Sequence, residues 1–300
     1  VSVISIYRER LPMHPLLGRH ILLDSRSKDY AVQPTTTPVT SIRHAQNIGI
    51  LDQGQIGSCT GNASTSCAYH DVFLPDRSAR WSYTPDEAGA QAWYHDNTAN
   101  DGYKGTWQPD DTGSDGLTSS KMAVKAGVAS GYQAALDLDA SLQALMKAPG
   151  ITGIPYFNSM FDAPSSGLLT VDMSSGLAGG HELVVDEIVT ASAPGNGTGK
   201  LLVGGNQSWG SGWGAIGRYY MTADDWWKLR QQQGDVYFWT PKAQPAPAPT
   251  PGPTPAPSDA FDADLWDATE PFRNDHHVAP HIRRAANALE TWGVEKGFMS

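Results

Sequence analysis

The 300-residue chain is short of cysteine, of basic charge and of long apolar runs, and each shortage excludes something. Two cysteines cannot staple a disulfide-rich scaffold. They leave three arrangements: one bridge, two core thiols, or one nucleophile beside one core thiol. Lys and Arg number 21 against 31 Asp and Glu, a formal net charge of −10, which argues against a protein that coats nucleic acid, since that task needs a basic surface. No uninterrupted apolar run approaches about 18 residues, so no membrane span is expected. Val1 to Ile6 is apolar, but Arg8, Glu9 and Arg10 follow at once, too short and wrongly flanked for a signal peptide. Charged residues make up only 17% and hydrophobic residues 40%, enough for a real core rather than a disordered chain.

Proline, by contrast, is plentiful and unevenly placed. Eight of the 21 prolines fall between Pro241 and Pro257. Pro alternating with Ala and Thr resists helix and sheet and favours extended polyproline II, so residues 241–258 read as a semi-rigid linker. It divides the chain into a domain over residues 1–240 and a small C-terminal segment, 259–300. That segment contains one expected helix, His281 to Trp292, with Ile282, Ala285, Ala286 and Leu289 on one face. A piece this small rarely folds without a staple.

Within residues 1–240, helices are expected over Cys59 to Phe73, Tyr83 to His95, Leu117 to Lys125 and Asp139 to Lys147. Strands are expected over Ile151 to Phe157, Glu182 to Ala191, Lys200 to Gly205, Arg218 to Thr222 and Val236 to Thr240. Helices first and strands afterwards indicate an α+β fold rather than a parallel βαβ sheet.

The chemistry concentrates in three stretches. Gln53-Gly54-Gln55-Ile56-Gly57-Ser58-Cys59 delivers a cysteine to the start of a helix, where the macrodipole favours thiolate. Cys67, two turns further on, reads as a core thiol, and at about 1.5 Å rise per residue the two sulfurs are too far apart to pair. Among nine histidines, His181 stands in Gly179-Gly180-His181-Glu182-Leu183-Val184-Val185, with glycines ahead of an apolar strand. Asn206-Gln207-Ser208-Trp209-Gly210 then offers an amide to orient an imidazole and a tryptophan to cover the contact.

These blocks resemble the papain-like cysteine peptidases. Cysteine, histidine and amide follow in the family's order, His181 lying 122 and Asn206 147 residues after Cys59, close to the family's spacing of roughly 130–150. The likeness runs from about Leu51 to Thr240. It implies a two-lobed α+β fold with a cleft between a helical and a β-rich lobe, and hydrolysis of amide bonds through a cysteinyl acyl-enzyme. Cys59 is then the nucleophile, His181 its proton partner, and Gln53 an oxyanion donor beside the Cys59 N–H. Trp209 shields the histidine–amide bond. Ser114, Asp115 and Gly116, with Gly180 and Trp209, are the implied substrate contacts. No metal or organic cofactor is implied, and the implied partner is a protein or peptide substrate, or the peptide of a cell wall.

The sequence also departs from the family pattern. Ile56 stands where many members carry a cysteine, and Thr60 replaces the usual aromatic after the nucleophile. Counted back from Ser208-Trp209-Gly210, the orienting position is Gln207 rather than Asn206. Neighbours on a strand face opposite ways, so only one of them reaches His181; Gln207 is favoured. Residues 1–50 are too short and irregular for a long helical pro-region, so zymogen control by that device is not expected. Two other functions remain in view: a peptidoglycan-cleaving lytic enzyme with the same Cys–His chemistry, and a degenerate peptidase fold serving as a binding or structural module. Two further patterns read as bland. Asp275-His276-His277 with His281 is a polar surface rather than a metal site, and Gly195 to Lys200 is a hairpin turn rather than a phosphate loop.

Overall fold

A computed structural model describes residues 3–4, 17–22, 24–33, 35–74 and 83–242. Pro241 and Lys242 apart, the proline-rich linker, the 259–300 segment with its expected helix, and the Asp275–His281 cluster lie outside the described residues. The compact unit that holds everything below spans Val1–Ala243.

Five α-helices and ten strands make up the described part. The helices are α1 (Cys59–Ala68), α2 (Glu87–Asn100), α3 (Gly116–Lys125), α4 (Leu138–Leu145) and α5 (Ala223–Gln231). Four of them start on a side-chain cap: Asp86 accepts from Gly89, Asp115 from Thr118, Asp137 from Ala140, and the Thr222 side chain from Asp225. Such a cap satisfies one of the helix's unpaired first-turn donors. α1 is the exception. Its N-cap, Ser58, makes no capping bond, and its hydroxyl donates instead to Asn62 Oδ1 at 2.8 Å. The first-turn N–H groups around Cys59 are therefore left for another use.

α1 is made almost wholly of small residues, and all ten are buried. It has no solvent-exposed face, and its Ser, Thr and Asn side chains are buried with the rest. α2 and α3 cover it on one side and strand β6 on the other. One hydrophobic core gathers around these helices, with Cys67, Trp93, Leu117, Met122 and Trp239. A second gathers among the strands, with Ile154, Tyr156, Leu183, Tyr219 and Trp226. These two cores are the helical and β-rich halves of an α+β fold.

The strands are β1 (Val3–Ile4), β2 (Ile21–Leu22), β3 (Ile42–Arg43), β4 (Gly131–Ala134), β5 (Gly150–Phe157), β6 (Leu177–Val185), β7 (Glu187–Val189), β8 (Leu202–Asn206), β9 (Arg218–Thr222) and β10 (Asp235–Thr240). They form a β1-β2 pair and two four-stranded sheets, β4-β10-β5-β6 and β3-β7-β8-β9, with every neighbouring pair antiparallel. β6 and β7 are nearly continuous and carry the chain from one sheet into the other at Asp186. The Gly195–Lys200 stretch lies in the connection between antiparallel neighbours β7 and β8.

Several boundaries differ from expectation for identifiable reasons. α1 stops at Ala68 rather than Phe73, because His70 turns back to bond its own helix through the Cys67 carbonyl and reaches across to Asp186 at 3.0 Å. α2 begins at Glu87, after the Asp86 cap, rather than at Tyr83. The expected strand Glu182–Ala191 starts earlier, at Leu177, and is broken at Asp186 by a buried charge network. β4 and α5 were not anticipated, although Thr222-Ala223-Asp224-Asp225 is a legible helix start.

Candidate active site

Cys59 opens α1 and His181 lies on β6; both are fully buried. α1 packs against β6, and a backbone group of Glu182, the residue after His181, reaches the Cys59 sulfur. The imidazole is held on several sides. Its Nε2 is 2.5 Å from Gln207 Oε1. Trp209 stacks on it, with ring centroids 4.9 Å apart and planes 18° from parallel. Tyr156 meets it edge-on at 5.2 Å. Phe161 and Trp213 pack on Trp209 in turn. Such stacked and edge-on pairs fix ring orientation as well as burying area. The other ring nitrogen, Nδ1, is buried with no hydrogen-bond partner.

The two candidate amides part company. Gln207, just beyond β8, turns to His181, and its Nε2 also lies 3.4 Å from the Tyr156 hydroxyl. Asn206, the last residue of β8, points the opposite way. It accepts from Arg218 Nη1 at 2.6 Å and donates to Ser66 Oγ and to Gln46. Gln53 is tied to the same neighbourhood. Its Oε1 accepts from Ser208 Oγ at 2.5 Å and its Nε2 donates to the Ile56 carbonyl at 2.8 Å. Thr60 is fully buried and faces Asn97 of α2.

The cleft is occupied by the chain itself. Arg19 N donates to Gly180 O at 3.1 Å, His20 N to Ser114 O at 2.7 Å, and Ser114 N to Gly18 O at 2.9 Å. Residues 18–20 thus lie as an extended strand between Ser114 and Gly180, and a backbone group of Gly18 also reaches the Cys59 sulfur. A side chain at Gly180 would fall 2.5 Å from the Arg19 carbonyl oxygen, so a residue without Cβ is needed there. The cover is three residues of extended chain. Of the other implied substrate contacts, Asp115 caps α3, and Gly116 lies against Glu182 and Asp235 beside the Arg19 side chain.

This cover decides the protonation states. Burial pushes the Cys59 thiol up to about 12, against weaker downward pulls from the Glu182 and Gly18 backbone and Arg19. Burial likewise pulls His181 down to about 4, which the Gln207 bond only partly opposes. The expected thiolate at the helix start is thus overruled. A helix terminus contributes about 0.3–1 kcal/mol, less than one pKa unit, and full desolvation outweighs it. With the segment in place, the pair is a neutral thiol and a neutral imidazole at neutral pH. Cys67 is buried and free, with its thiol pushed up by burial as well.

Sequence reasoning missed Tyr156 and Phe161 as walls of the histidine site and Arg19, Glu182 and Asp235 as its neighbours. The aromatics sit at ordinary core positions of β5 and the turn after it, with no motif to mark them. Among the described residues, no group of three or more His, Cys, Asp or Glu is arranged to hold a metal, and no helix is long and apolar enough to cross a membrane.

The arrangement of a buried helix-start cysteine, a strand histidine and two cores is that of the papain-like α+β fold, seen in cysteine proteases. The particular likeness that shows it is to xylellain, a cysteine protease from Xylella fastidiosa. That match has a TM-score of 0.58 at 15% identity and covers 78% of this chain and all of that one. Digestive procathepsin L 3 from the larval midgut of Tenebrio molitor matches with a TM-score of 0.44 at 15% identity, over 75% of this chain and 83% of that one. Bromelain from Ananas comosus, bound to the inhibitor E64, matches at 0.42 and 16%, over 69% and 100%. No family model and no curated protein sequence matches the chain.

Proposed function

We propose that the chain is a thiol-dependent hydrolase of peptide bonds, with Cys59 as nucleophile and His181 as its proton partner. The observation that carries this reading is the state of His181. Its Nε2 is fixed by Gln207, while Nδ1 is buried without a hydrogen-bond partner, on a strand that packs against the helix carrying Cys59. A merely structural histidine in a core uses both nitrogens or faces water.

When a substrate peptide replaces residues 18–20, the Cys59 proton passes to His181 Nδ1 and the sulfur attacks the carbonyl carbon. The carbonyl oxygen becomes an oxyanion facing the uncapped start of α1, where the Cys59 N–H and the Gln53 amide stabilise it; one such donor typically contributes about 2.7–4 kcal/mol. The C–N bond then breaks and His181 returns its proton to the leaving amine. Water, deprotonated by His181, attacks the thioester, and the acid product leaves with the thiol restored. Gln207 holds the ring in the required orientation, and Trp209 keeps water from the Gln207–His181 bond.

The test uses casein and the full chain. Peptides are expected from the Arg19→Ala variant, which loosens the covering segment, and none when Cys59→Ala is added. Hydrolysis that survives Cys59→Ala refutes the reading, as does the absence of hydrolysis in both the wild type and Arg19→Ala. Purified wall sacculi in parallel separate a protein substrate from a cell-wall peptide.

A further inference from the structure

The side chain that the covering segment delivers is a guanidinium, and the place it enters is acidic and closed. Arg19 is only 3% exposed. Its Nη2 donates to Asp235 Oδ2 at 2.5 Å and to the Gln233 carbonyl at 3.0 Å. Its Nε lies 3.6 Å from Glu182 Oε2. Asp115, the α3 cap, stands close enough to raise the Glu182 carboxyl electrostatically. Two buried carboxyl groups, Asp235 and Glu182, therefore flank one cation, with Asp115 near Glu182. The room for it comes from Gly153 on β5, where a Cβ would fall 1.9 Å from Arg19 Nε.

The fit is incomplete in an informative way. Neither oxygen of Glu182 has a hydrogen-bond partner, although the side chain is fully buried, and its ion pair with Arg19 Nε is long, at 3.6 Å. A structural ion pair is expected to satisfy such groups, because an unpaired buried polar atom is costly. Glu182 also follows His181 directly, so the acidic pocket is fixed next to the reacting pair. A guanidinium suits it because its planar fork of donors reaches Asp235 and the Gln233 carbonyl while its charge lies beside Glu182.

We propose that this pocket, formed by Glu182, Asp235, the Gln233 carbonyl and Gly153, is a recognition site for an arginine side chain of the substrate, and that Arg19 fills it as a built-in competitor. The substrate backbone takes the bonds to Ser114 and Gly180 that residues 18–20 now make, which brings its arginine to Glu182 and Asp235. This rests on the hydrolase reading for its role in turnover, but binding in the pocket stands apart from catalysis. A cavity of about 310 Å³ continues past Arg19, walled by Ile21, Pro155, Phe157 and Leu177, so an apolar neighbour of the arginine is accommodated.

The experiment uses the full-length Arg19→Ala variant and three probes by calorimetry: N-acetyl-arginine amide, its uncharged isostere N-acetyl-citrulline amide, and N-acetyl-leucine amide. Binding of the arginine probe at least tenfold tighter than the other two is expected, with the preference lost in Arg19→Ala/Asp235→Asn and reduced in Arg19→Ala/Glu182→Gln. Equal affinity for arginine and citrulline, or no binding to an Arg19→Ala protein that unfolds cooperatively, overturns the proposal. Cleavage sites in a peptide library, read by mass spectrometry, separate it from the reading it rests on. Cleavage without arginine enrichment or probe binding removes the arginine pocket and leaves the hydrolase. Selective probe binding without any cleavage keeps the pocket and removes the hydrolase.

Discussion

Glu182 and Asp186 sit four residues apart, at β6 and its junction with β7, both buried and both facing an arginine, yet their surroundings are opposite. Asp186 accepts from His70 at 3.0 Å and from Arg218 at 3.1 and 2.5 Å, and Arg218 also bonds Asn206 and Glu187. Burial alone would raise the Asp186 carboxyl, but the bonds from His70 and Arg218 prevail and hold it below its ordinary value. Glu182 has no hydrogen bond, and burial with Asp235 and Asp115 nearby holds it well above its ordinary value despite Arg19. The first cluster is closed: its members belong to α1, β6–β9 and the turns between them, and it ties the helical half to the strands. In the second, the cation comes from a separate extended segment. A buried charge network completed by its own framework is structural, whereas one completed by a removable segment is a binding site.

The largest effect expected from this contrast is on stability. Removing one partner of a buried ion pair strands the other charge, typically at about 3–5 kcal/mol. Arg218→Ala is expected to cost that much in urea unfolding at neutral pH. Arg19→Ala is expected to cost only about 1–2 kcal/mol, because water enters once the segment loosens and hydrates the carboxyl groups left behind. If the two variants lose the same stability, the distinction between a framework cluster and a pocket fails.

The pH dependence sharpens the same contrast. Asp115 is raised from 3.8 to about 6, first by burial and then by Asp235 and Asp101, against the bonds it accepts from Thr118. A raised carboxyl stabilises the fold at pH values below its unfolded pKa, and that contribution is lost as pH climbs through the folded pKa. Roughly two pKa units correspond to about 3 kcal/mol at most, lost between pH 4 and pH 6–7. Asn keeps the helix cap without titrating, so wild-type stability is expected to fall relative to Asp115→Asn across that window. Parallel unfolding curves for the two proteins refute it.

How much of this was written plainly in the sequence depends on whether the signal was local. The order of helices and strands, the Cys59 helix start and the Trp209 block are local patterns, and they led to the α+β papain-like fold that the structure has. The preference for Gln207 over Asn206 also came from a local pattern, the count back from Ser208-Trp209-Gly210, with the alternation of strand faces allowing only one of the two to reach His181. The acidic pocket was not legible, because Arg19, Glu182 and Asp235 are brought together only by folding, across more than two hundred residues. The protonation state of Cys59 was misjudged for the same reason. A helix terminus is visible in sequence, but the cover that dries it out is not. Tyr156 and Phe161 carry no mark beyond being aromatic.

The smallest effects come from the adjacent amides, which divide between the site and the framework. Asn206 bonds the charged Arg218, and a hydrogen bond to a charged group contributes about 1.5–3 kcal/mol. Asn206→Ala is expected to lose that stability while leaving the rate of casein hydrolysis per folded molecule unchanged. Gln207 bonds a neutral imidazole, so Gln207→Ala is expected to cost about 1 kcal/mol or less in stability. The rate should fall at least tenfold, because His181 then turns freely beside Trp209. Gln207→Asn should recover part of that rate, since it restores the amide on a shorter arm. Measuring unfolding and casein hydrolysis on all three variants, in the Arg19→Ala background, decides the matter. If Asn206→Ala lowers the rate as much as Gln207→Ala, the two clusters are coupled through β8, and the division between framework and site does not hold.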